Sequence, residues 1–265
     1  MNSLAPTDDQ NAMQVVADAM LDRGLFQEME GSWEIRRSSL TLHSGLPLTW
    51  KAGYPADAEQ SAARNFQLGA KRVLDVVLAS MALIALLPLF AIVAIVIALS
   101  SKGPVLFRQQ REGLDGELFE ALKFRSMKIE ECDPSGVAQT MKEDPRVTPI
   151  GKFIRKTSID ELPQLINVLR GDMSLVGPRP HVPGMQAAGT SYKTLVPYYD
   201  ERLAMRPGIT GWAQANGYRG LTTDVASARG RVDHDIAYVQ NFSLWLDTQI
   251  IAKTIVNEFV TGSGH

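Results

Sequence analysis

Val76-Val-Leu-Ala-Ser-Met-Ala-Leu-Ile-Ala-Leu-Leu-Pro88-Leu-Phe-Ala-Ile-Val-Ala-Ile-Val-Ile-Ala-Leu99 is the stretch on which the fold turns, and no charged residue occurs from Val76 to Ser101. As one straight helix it would be roughly 36 Å long, enough to cross a bilayer. It is too uniformly apolar for an ordinary core helix, which shows a polar face. Pro88 removes a backbone donor near the middle and clashes with the carbonyl four residues earlier, so a kink is expected there. Lys71-Arg72 precede the stretch, and Lys102, Arg108 and Arg111 follow it. Positive charge prefers the cytoplasmic side, and a spanning helix would place one basic flank on the wrong side. The expectation is therefore a re-entrant helix that enters and leaves one leaflet.

Outside this stretch the chain has the averages of a protein in water. Of 265 residues 45% are hydrophobic and 21% charged, with 27 Lys and Arg against 29 Asp and Glu, and the mean hydropathy is −0.06. These values exclude a polytopic membrane protein, a collagen-like or disordered chain, and a strongly basic module that binds nucleic acid. Residues 1–70 carry nine acids and five bases, net −4, whereas residues 71–265 carry twenty and twenty-two, net +2. Cys132 is the single cysteine, so neither an intrachain disulfide nor a Cys-based zinc site can form. His43, His181, His234 and His265 lack metal-ligand spacing.

Three regions follow. Residues 1–66 read as a polar, weakly ordered N-terminal extension with a helix over about Asn11 to Leu25. It lacks the basic start and early apolar run of a signal peptide. Residues 67–102 form the membrane-inserted helix, and 103–265 a cytoplasmic catalytic domain. Asp115-Gly116, between short apolar runs, reads as the turn of a β-hairpin. From Ile150, an apolar face of Ile150, Phe153 and Ile154 opposes Lys152, Arg155 and Lys156, the pattern of a helix lying among headgroups. The fold class is α+β and mostly helical: one Pro-kinked re-entrant helix, amphipathic interfacial helices and a small β-hairpin, as in a monotopic membrane protein.

The adjacent carboxylates Asp160 and Glu161 open a helix expected over Leu162 to Leu169, where backbone donors and the helix dipole favour anions. Ser158 and Glu161 also have the spacing of a capping box, which needs no function. Basic residues recur beside Gly and Pro in Lys123-Phe124-Arg125, Gly177-Pro178-Arg179-Pro180 and Arg206-Pro207-Gly208. The arginine fork suits phosphate oxygens, and acids suited to Mg²⁺ complete the outline of a diphosphate site. Asp233-His234-Asp235 is a D-x-D pattern, the metal clamp of a different class of nucleotide-sugar glycosyltransferase.

The run Lys71-Arg72-Val73-Leu74-Asp75, the apolar stretch with its central proline, Gly103-Pro104-Val105, Lys123 to Met127, Asp144-Pro145-Arg146-Val147-Thr148, Thr157-Ser158-Ile159-Asp160-Glu161-Leu162-Pro163-Gln164, Arg170 to Pro180 and Arg206 to Trp212 resemble the bacterial sugar transferases, the monotopic phosphoglycosyl transferases. The resemblance runs from residue 71 to about 260. It implies an enzyme of the bacterial inner membrane, with its catalytic domain on the cytoplasmic face. Such an enzyme moves a sugar 1-phosphate from a UDP-sugar to polyprenyl (undecaprenyl) phosphate, releasing UMP, in the first membrane step of exopolysaccharide or other surface-glycan assembly. It implies Mg²⁺ held by Asp160 and Glu161, with Asp160 as nucleophile in a covalent aspartyl-phosphosugar intermediate and Glu161 assisting. Lys123, Arg125, Arg179 and Arg206 are the expected phosphate contacts, with Asp235 from the C-terminal pattern. Many relatives carry Ser before the central proline, where this chain has Leu87. A D-x-D glycosyltransferase and a non-catalytic scaffold for glycan assembly are the alternatives; the sugar, and whether the chain forms a homo-oligomer, stay open.

Overall fold

The computed structural model describes residues 26–29, 32–35, 39–51, 54–58, 61–128, 144–220, 222 and 224–257. The helix expected over Asn11 to Leu25, and Cys132, lie outside the described residues.

Helix predominates, with small sheets. The elements run β1 (Phe26–Met29), β2 (Ser32–Ile35), β3 (Ser39–Thr41), β4 (Pro47–Lys51), β5 (Tyr54–Pro55), α1 (Ala62–Ser100), β6 (Leu106–Glu112), β7 (Leu118–Phe124), α2 (Pro149–Lys156), α3 (Gln164–Arg170), β8 (Ser174–Val176), β9 (Gln186–Ala187), β10 (Thr190–Ser191), α4 (Tyr192–Leu195), β11 (Gly208–Thr210), α5 (Trp212–Ala215), α6 (Val225–Gln240) and α7 (Leu244–Val256). Two short 3-10 turns, Ile159–Glu161 and Tyr199–Ala204, complete the set that matters for the site.

The apolar stretch lies within α1, whose 39 residues follow the cap Ser61, its side chain accepting from the Arg64 amide, and contain Pro88. Only 11% of its most apolar part is buried, whereas the core helix of a soluble protein is mostly buried. One stripe of α1 packs on the body. Ala79, Ala82, Leu83 and Leu86 meet Leu165, Val168 and Met173, while Leu89, Phe90, Val93 and Ile97 meet Phe124 and Ile154. The other side, including Val73, Val77, Met81, Ile84, Leu87, Ile92, Ile95 and Leu99, is exposed and apolar. Apolar surface of that extent marks an interaction surface.

Strands β6 and β7 pair antiparallel from Leu106↔Phe124 to Glu112↔Leu118, with Asp115 (φ 53°) and Gly116 (φ 79°) in the connection. Strands β8 and β11 pair in parallel, Gly208 opposite Ser174 and Thr210 opposite Val176. That pairing brings two of the Gly/Pro-flanked arginine motifs together. A Cβ on Gly177 would meet Arg206 O at 2.3 Å and one on Gly208 would meet Gly177 N at 2.1 Å, so only glycine allows the two backbones to approach.

Within the stretch expected as a weakly ordered extension, β3, β4 and β5 form an antiparallel sheet. Leu48 and Trp50 are buried there among Tyr198, Tyr199, Val232 and Ile236. The Gln240 side chain accepts from Thr49 N at 2.9 Å and donates to Ala56 O at 2.6 Å, lacing the sheet to α6.

Candidate active site

Asp160 and Glu161 sit in the 3-10 turn between α2 and α3 rather than in a regular helix start. Pro163 lacks an N–H, and α3 begins only after it. Ser158 leads into the turn with φ 53°, a left-handed conformation that costs a non-glycine residue roughly 1 kcal/mol or more and is concentrated at functional sites. The capping box offered by Ser158 and Glu161 is not made, since Ser158 forms no side-chain cap.

The side chain of Glu161 is instead the meeting point of three elements. Lys123 Nζ on β7 lies 2.7 Å from Oε1, and Arg179, just after β8, donates Nη2 to Oε1 at 2.8 Å and Nη1 to Oε2 at 3.3 Å. Asp160 is buried, 9% exposed, and among the described residues its carboxylate takes part in no hydrogen bond. Lys123, Arg155 and Arg179 lie within electrostatic reach of it.

This arrangement separates two neighbouring acids. Burial pushes Asp160 up to about 6, an effect that Lys123 opposes and Glu161 reinforces. Burial acts on Glu161 in the same upward sense, but Arg179 and Lys123 outweigh it and hold the carboxyl well below the usual range. Adjacent titratable groups driven apart in this way are characteristic of acid, base and nucleophile assignments.

Arg179 is fixed from behind. Its carbonyl accepts from Arg202 Nη2, and the next carbonyl, Pro180 O, accepts from Arg111 Nη1 at 3.0 Å. Arg202 is in turn gripped by Asp235 Oδ2, at 3.0 Å from Nε and 2.7 Å from Nη2, with both side chains 1% exposed. The loop carrying Arg179 is thus held by buried charge-assisted bonds, which are stronger and more directional than neutral ones.

The sequence profile of the family described as "Bacterial sugar transferase" matches residues 66–261, a span that includes every group just named. The chain belongs to the bacterial sugar transferase family. Among curated relatives, an exopolysaccharide production protein PSS of Rhizobium leguminosarum bv. phaseoli is 52% identical over 194 residues, 73% of this chain and 97% of the relative. A UDP-glucose:undecaprenyl-phosphate glucose-1-phosphate transferase of Escherichia coli K12 is 46% identical over 195 residues, 74% of this chain and 41% of the relative. An undecaprenyl-phosphate glucose phosphotransferase of Komagataeibacter xylinus is 42% identical over 247 residues, 92% of this chain and 44% of the relative. This transferase chain therefore spans nearly all of the first relative and about two fifths of the other two.

Of the residues expected at the transferase site, Asp160, Glu161, Lys123 and Arg179 come together, and three others do not join them. Arg125 is buried with its fork on Pro104 O (2.5 Å), Ser101 O (2.6 Å) and Ile97 O (3.2 Å), so it caps the carbonyl end of α1. Arg206 is exposed and donates Nε to Gly171 O at 2.9 Å. Asp235 acts on Arg202.

The D-x-D reading is corrected. Asp233, His234 and Asp235 lie inside α6, each 1% exposed. Residues two apart on a helix face different ways: Asp233 accepts from Tyr198 at 2.9 Å, whereas Asp235 takes Arg202. They cannot clasp one metal ion. Arg111, Arg155 and Arg202 were missed as contributors to the site. Arg111 reads in the sequence only as a basic flank of the apolar stretch and Arg155 only as part of the polar face of a helix, and Arg202 carries no local signal at all.

Proposed function

We propose that the chain transfers a sugar 1-phosphate from a UDP-sugar to undecaprenyl or another polyprenyl phosphate on the cytoplasmic face of the bacterial inner membrane. The product would be the first lipid-linked intermediate of an exopolysaccharide. The observation that carries this reading is the buried Asp160 carboxylate, which takes no hydrogen bond from any described residue, beside a glutamate that already holds two cations. With a pKa of about 6, Asp160 is mostly ionised at neutral pH and more basic than an ordinary aspartate, two properties that suit a nucleophile.

In the first step an Asp160 oxygen bonds to the sugar-bearing phosphorus, the bridging P–O bond breaks, and its electron pair leaves with UMP. In the second, an oxygen of polyprenyl phosphate bonds to the same phosphorus and the Asp160–phosphorus bond breaks, restoring the carboxylate. Lys123 and Arg179 are placed to receive the charge that collects on the phosphoryl oxygens. Glu161 holds them in position until the diphosphate arrives.

Mg²⁺ fits this donor set, because it binds through one or two carboxylates together with phosphate oxygens and water. Asp160 has free oxygens, and Glu161 stands next to it. When bound, the ion would neutralise part of the diphosphate charge.

The packing of α1 supports the re-entrant reading. Both halves of its inner stripe, Ala79 to Leu86 and Leu89 to Ile97, lie against the same body that carries the site. A helix crossing the bilayer would have to draw that body, with its charged groups, in after it. A foot set in one leaflet instead keeps the site at the boundary where a dissolved donor meets a membrane-bound acceptor.

The test is a UMP-release assay on purified full-length protein with UDP-glucose, Mg²⁺ and polyprenyl phosphate. UMP should appear, and Asp160→Asn should abolish it while membrane association survives. Release of UDP, or full activity in Asp160→Asn, would overturn the proposal. No turnover with any UDP-sugar would favour a scaffold.

A further inference from the structure

The buried polar cluster that fixes the Arg179 loop from behind has hydrogen-bonding capacity left over. Among the described residues, four of its atoms have no hydrogen-bond partner: His181 Nε2, Asp235 Oδ1, Arg231 Nε and Arg111 Nε. The cluster is continuous. Arg202 touches Asp235, Tyr199 and the Arg179 carbonyl, and Tyr199 touches His181. Arg231 lies one helical turn before Asp235 on α6, and Arg111 binds the carbonyl of Pro180, the residue before His181.

Hydrogen-bond logic fixes what each free atom can do. The single hydroxyl hydrogen of Tyr199 goes to Glu112 Oε2 at 2.7 Å. The Tyr199 phenol oxygen must then accept from His181 Nδ1 at 3.0 Å and from Arg202 Nη1 at 3.3 Å. His181 therefore carries its proton on Nδ1 and presents Nε2 as a bare acceptor. Burial, followed by the charges of Arg202, Arg231, Arg111 and Arg179, keeps the ring neutral by lowering its pKa well below the ordinary value. Asp235 Oδ1 is a second bare acceptor, and the two arginine Nε–H groups are bare donors.

Two acceptors and two donors in one buried cluster match a group that both gives and takes hydrogen bonds. A phosphate oxygen has only lone pairs to offer and a cation only charge, whereas a hydroxyl does both. Buried polar atoms without partners are rare in native proteins and are ordinarily matched by ligand or water.

We propose that His181 and Asp235, with Arg231, form a hydroxyl-reading subsite for the donor behind Arg179, in which His181 Nε2 accepts a hydroxyl hydrogen of the bound nucleotide sugar. The proposal rests on the transferase reading above. The hydroxyl belongs either to the sugar or to the ribose, and both offer the same chemistry.

The experiment measures UMP-release kinetics of the full-length protein with UDP-glucose, with UDP-glucose analogues each lacking one sugar hydroxyl, and with the 2′-deoxyribose and 3′-deoxyribose forms. For wild type, one analogue should lose at least about tenfold in kcat/KM, since a site built to bind a hydroxyl rejects a donor without it. Which analogue it is separates sugar from ribose. His181→Phe, which keeps a ring but removes the acceptor, should lose a similar factor with intact donor and treat that analogue and the intact donor alike. Wild type that takes all analogues equally, or His181→Phe that keeps the full discrimination, would overturn the subsite and leave water as its occupant. If His181→Phe fails to fold, the wild-type panel and His181→Gln, which restores an acceptor, decide the matter. Absence of UMP from wild type with every intact UDP-sugar would be the separate failure of the transferase reading.

Discussion

Lys71 Nζ lies 2.6 Å from Asp247 Oδ2, joining the start of the apolar helix to α7, 176 positions later. Asp75, one turn on, is 3.8 Å from the same nitrogen and accepts from Ser174 Oγ and the Leu175 amide. Tyr238 donates to the other oxygen of Asp247 at 2.7 Å. One ammonium thus stands between two buried carboxylates at the root of the apolar helix.

Replacing that cation should cost more than replacing either acid. Lys71→Met leaves two carboxylates facing each other without a counter-charge, and breaking a buried pair on one side costs roughly 3–5 kcal/mol. Thermal unfolding of the protein in detergent should show the midpoint falling by roughly 6–20 °C, scaled for a chain of this size. A shift smaller than that of Asp247→Asn would contradict the arrangement.

Asp160 gives a pH dependence with a definite sign. Its folded pKa of about 6 lies above its ordinary 3.8, so between these values the folded protein holds a proton that the unfolded chain has released. Stability therefore falls as pH rises from about 4 to 6, while the nucleophilic form is gained. Metal-free Asp160→Asn should be inactive yet more stable than wild type at pH 7, by up to ~3 kcal/mol at 1.36 kcal/mol per unit. Wild-type kcat/KM should drop tenfold per unit below about pH 6. A variant less stable than wild type at pH 7 would show that the carboxylate is not strained by burial.

Glu161 occupies the two cations that the diphosphate needs. In EDTA, Glu161→Gln should bind UDP at least as tightly as wild type by calorimetry, because Lys123 and Arg179 are released from a competing anion. Turnover with Mg²⁺ should nevertheless fall by a factor on the order of 10² or more, the usual consequence of removing a charge-positioning group. UDP binding weakened tenfold in EDTA would mean that the diphosphate does not take over the two cations from Glu161.

The parts of this molecule legible in its sequence are those that local pattern determines. The apolar run announces α1, and Asp115-Gly116 announces the turn between β6 and β7. Asp160, Glu161, Lys123 and Arg179 are legible as motif pieces, although their convergence on Glu161 depends on packing across 18 and 38 positions. Lys123 on β7 and Arg125 just past its end stand two residues apart and look alike as phosphate ligands. Only the fold brings the end of α1 to Arg125. Asp233 and Asp235 mislead for the opposite reason, since a pattern two residues apart is a clamp in a loop and two separate faces in a helix. Leu48 and Trp50 sit in a polar stretch whose composition says nothing of the groove that receives them, and His181 and Arg202 acquire partners only at long range.

Arg125 accordingly belongs to stability rather than to substrate binding. Arg125→Met deprives three carbonyls at the end of α1 of their donor and should cost about 3 kcal/mol, the scale for bonds to a buried charged group. The KM for UDP-sugar of the protein that still folds should stay within about twofold of wild type. A large rise in KM with unchanged unfolding would return Arg125 to the phosphate site.

The topology of α1 can be read directly from the sidedness of its two ends. Arg72 donates to Val168 O at 2.7 Å near the start of the helix, and Arg125 holds Ile97 O and Ser101 O at its finish, so both ends are tied to one body. Single cysteines placed at exposed positions in 61–70 and 105–115, in a background where Cys132 is replaced, should therefore label from the same side of sealed inverted vesicles. Modification should be complete with a membrane-impermeant maleimide added outside such vesicles, and nearly absent in intact spheroplasts. Labelling of the two groups from opposite faces would require α1 to span the bilayer, and the contacts of Ala79 to Leu86 and of Leu89 to Ile97 with the body could not then coexist.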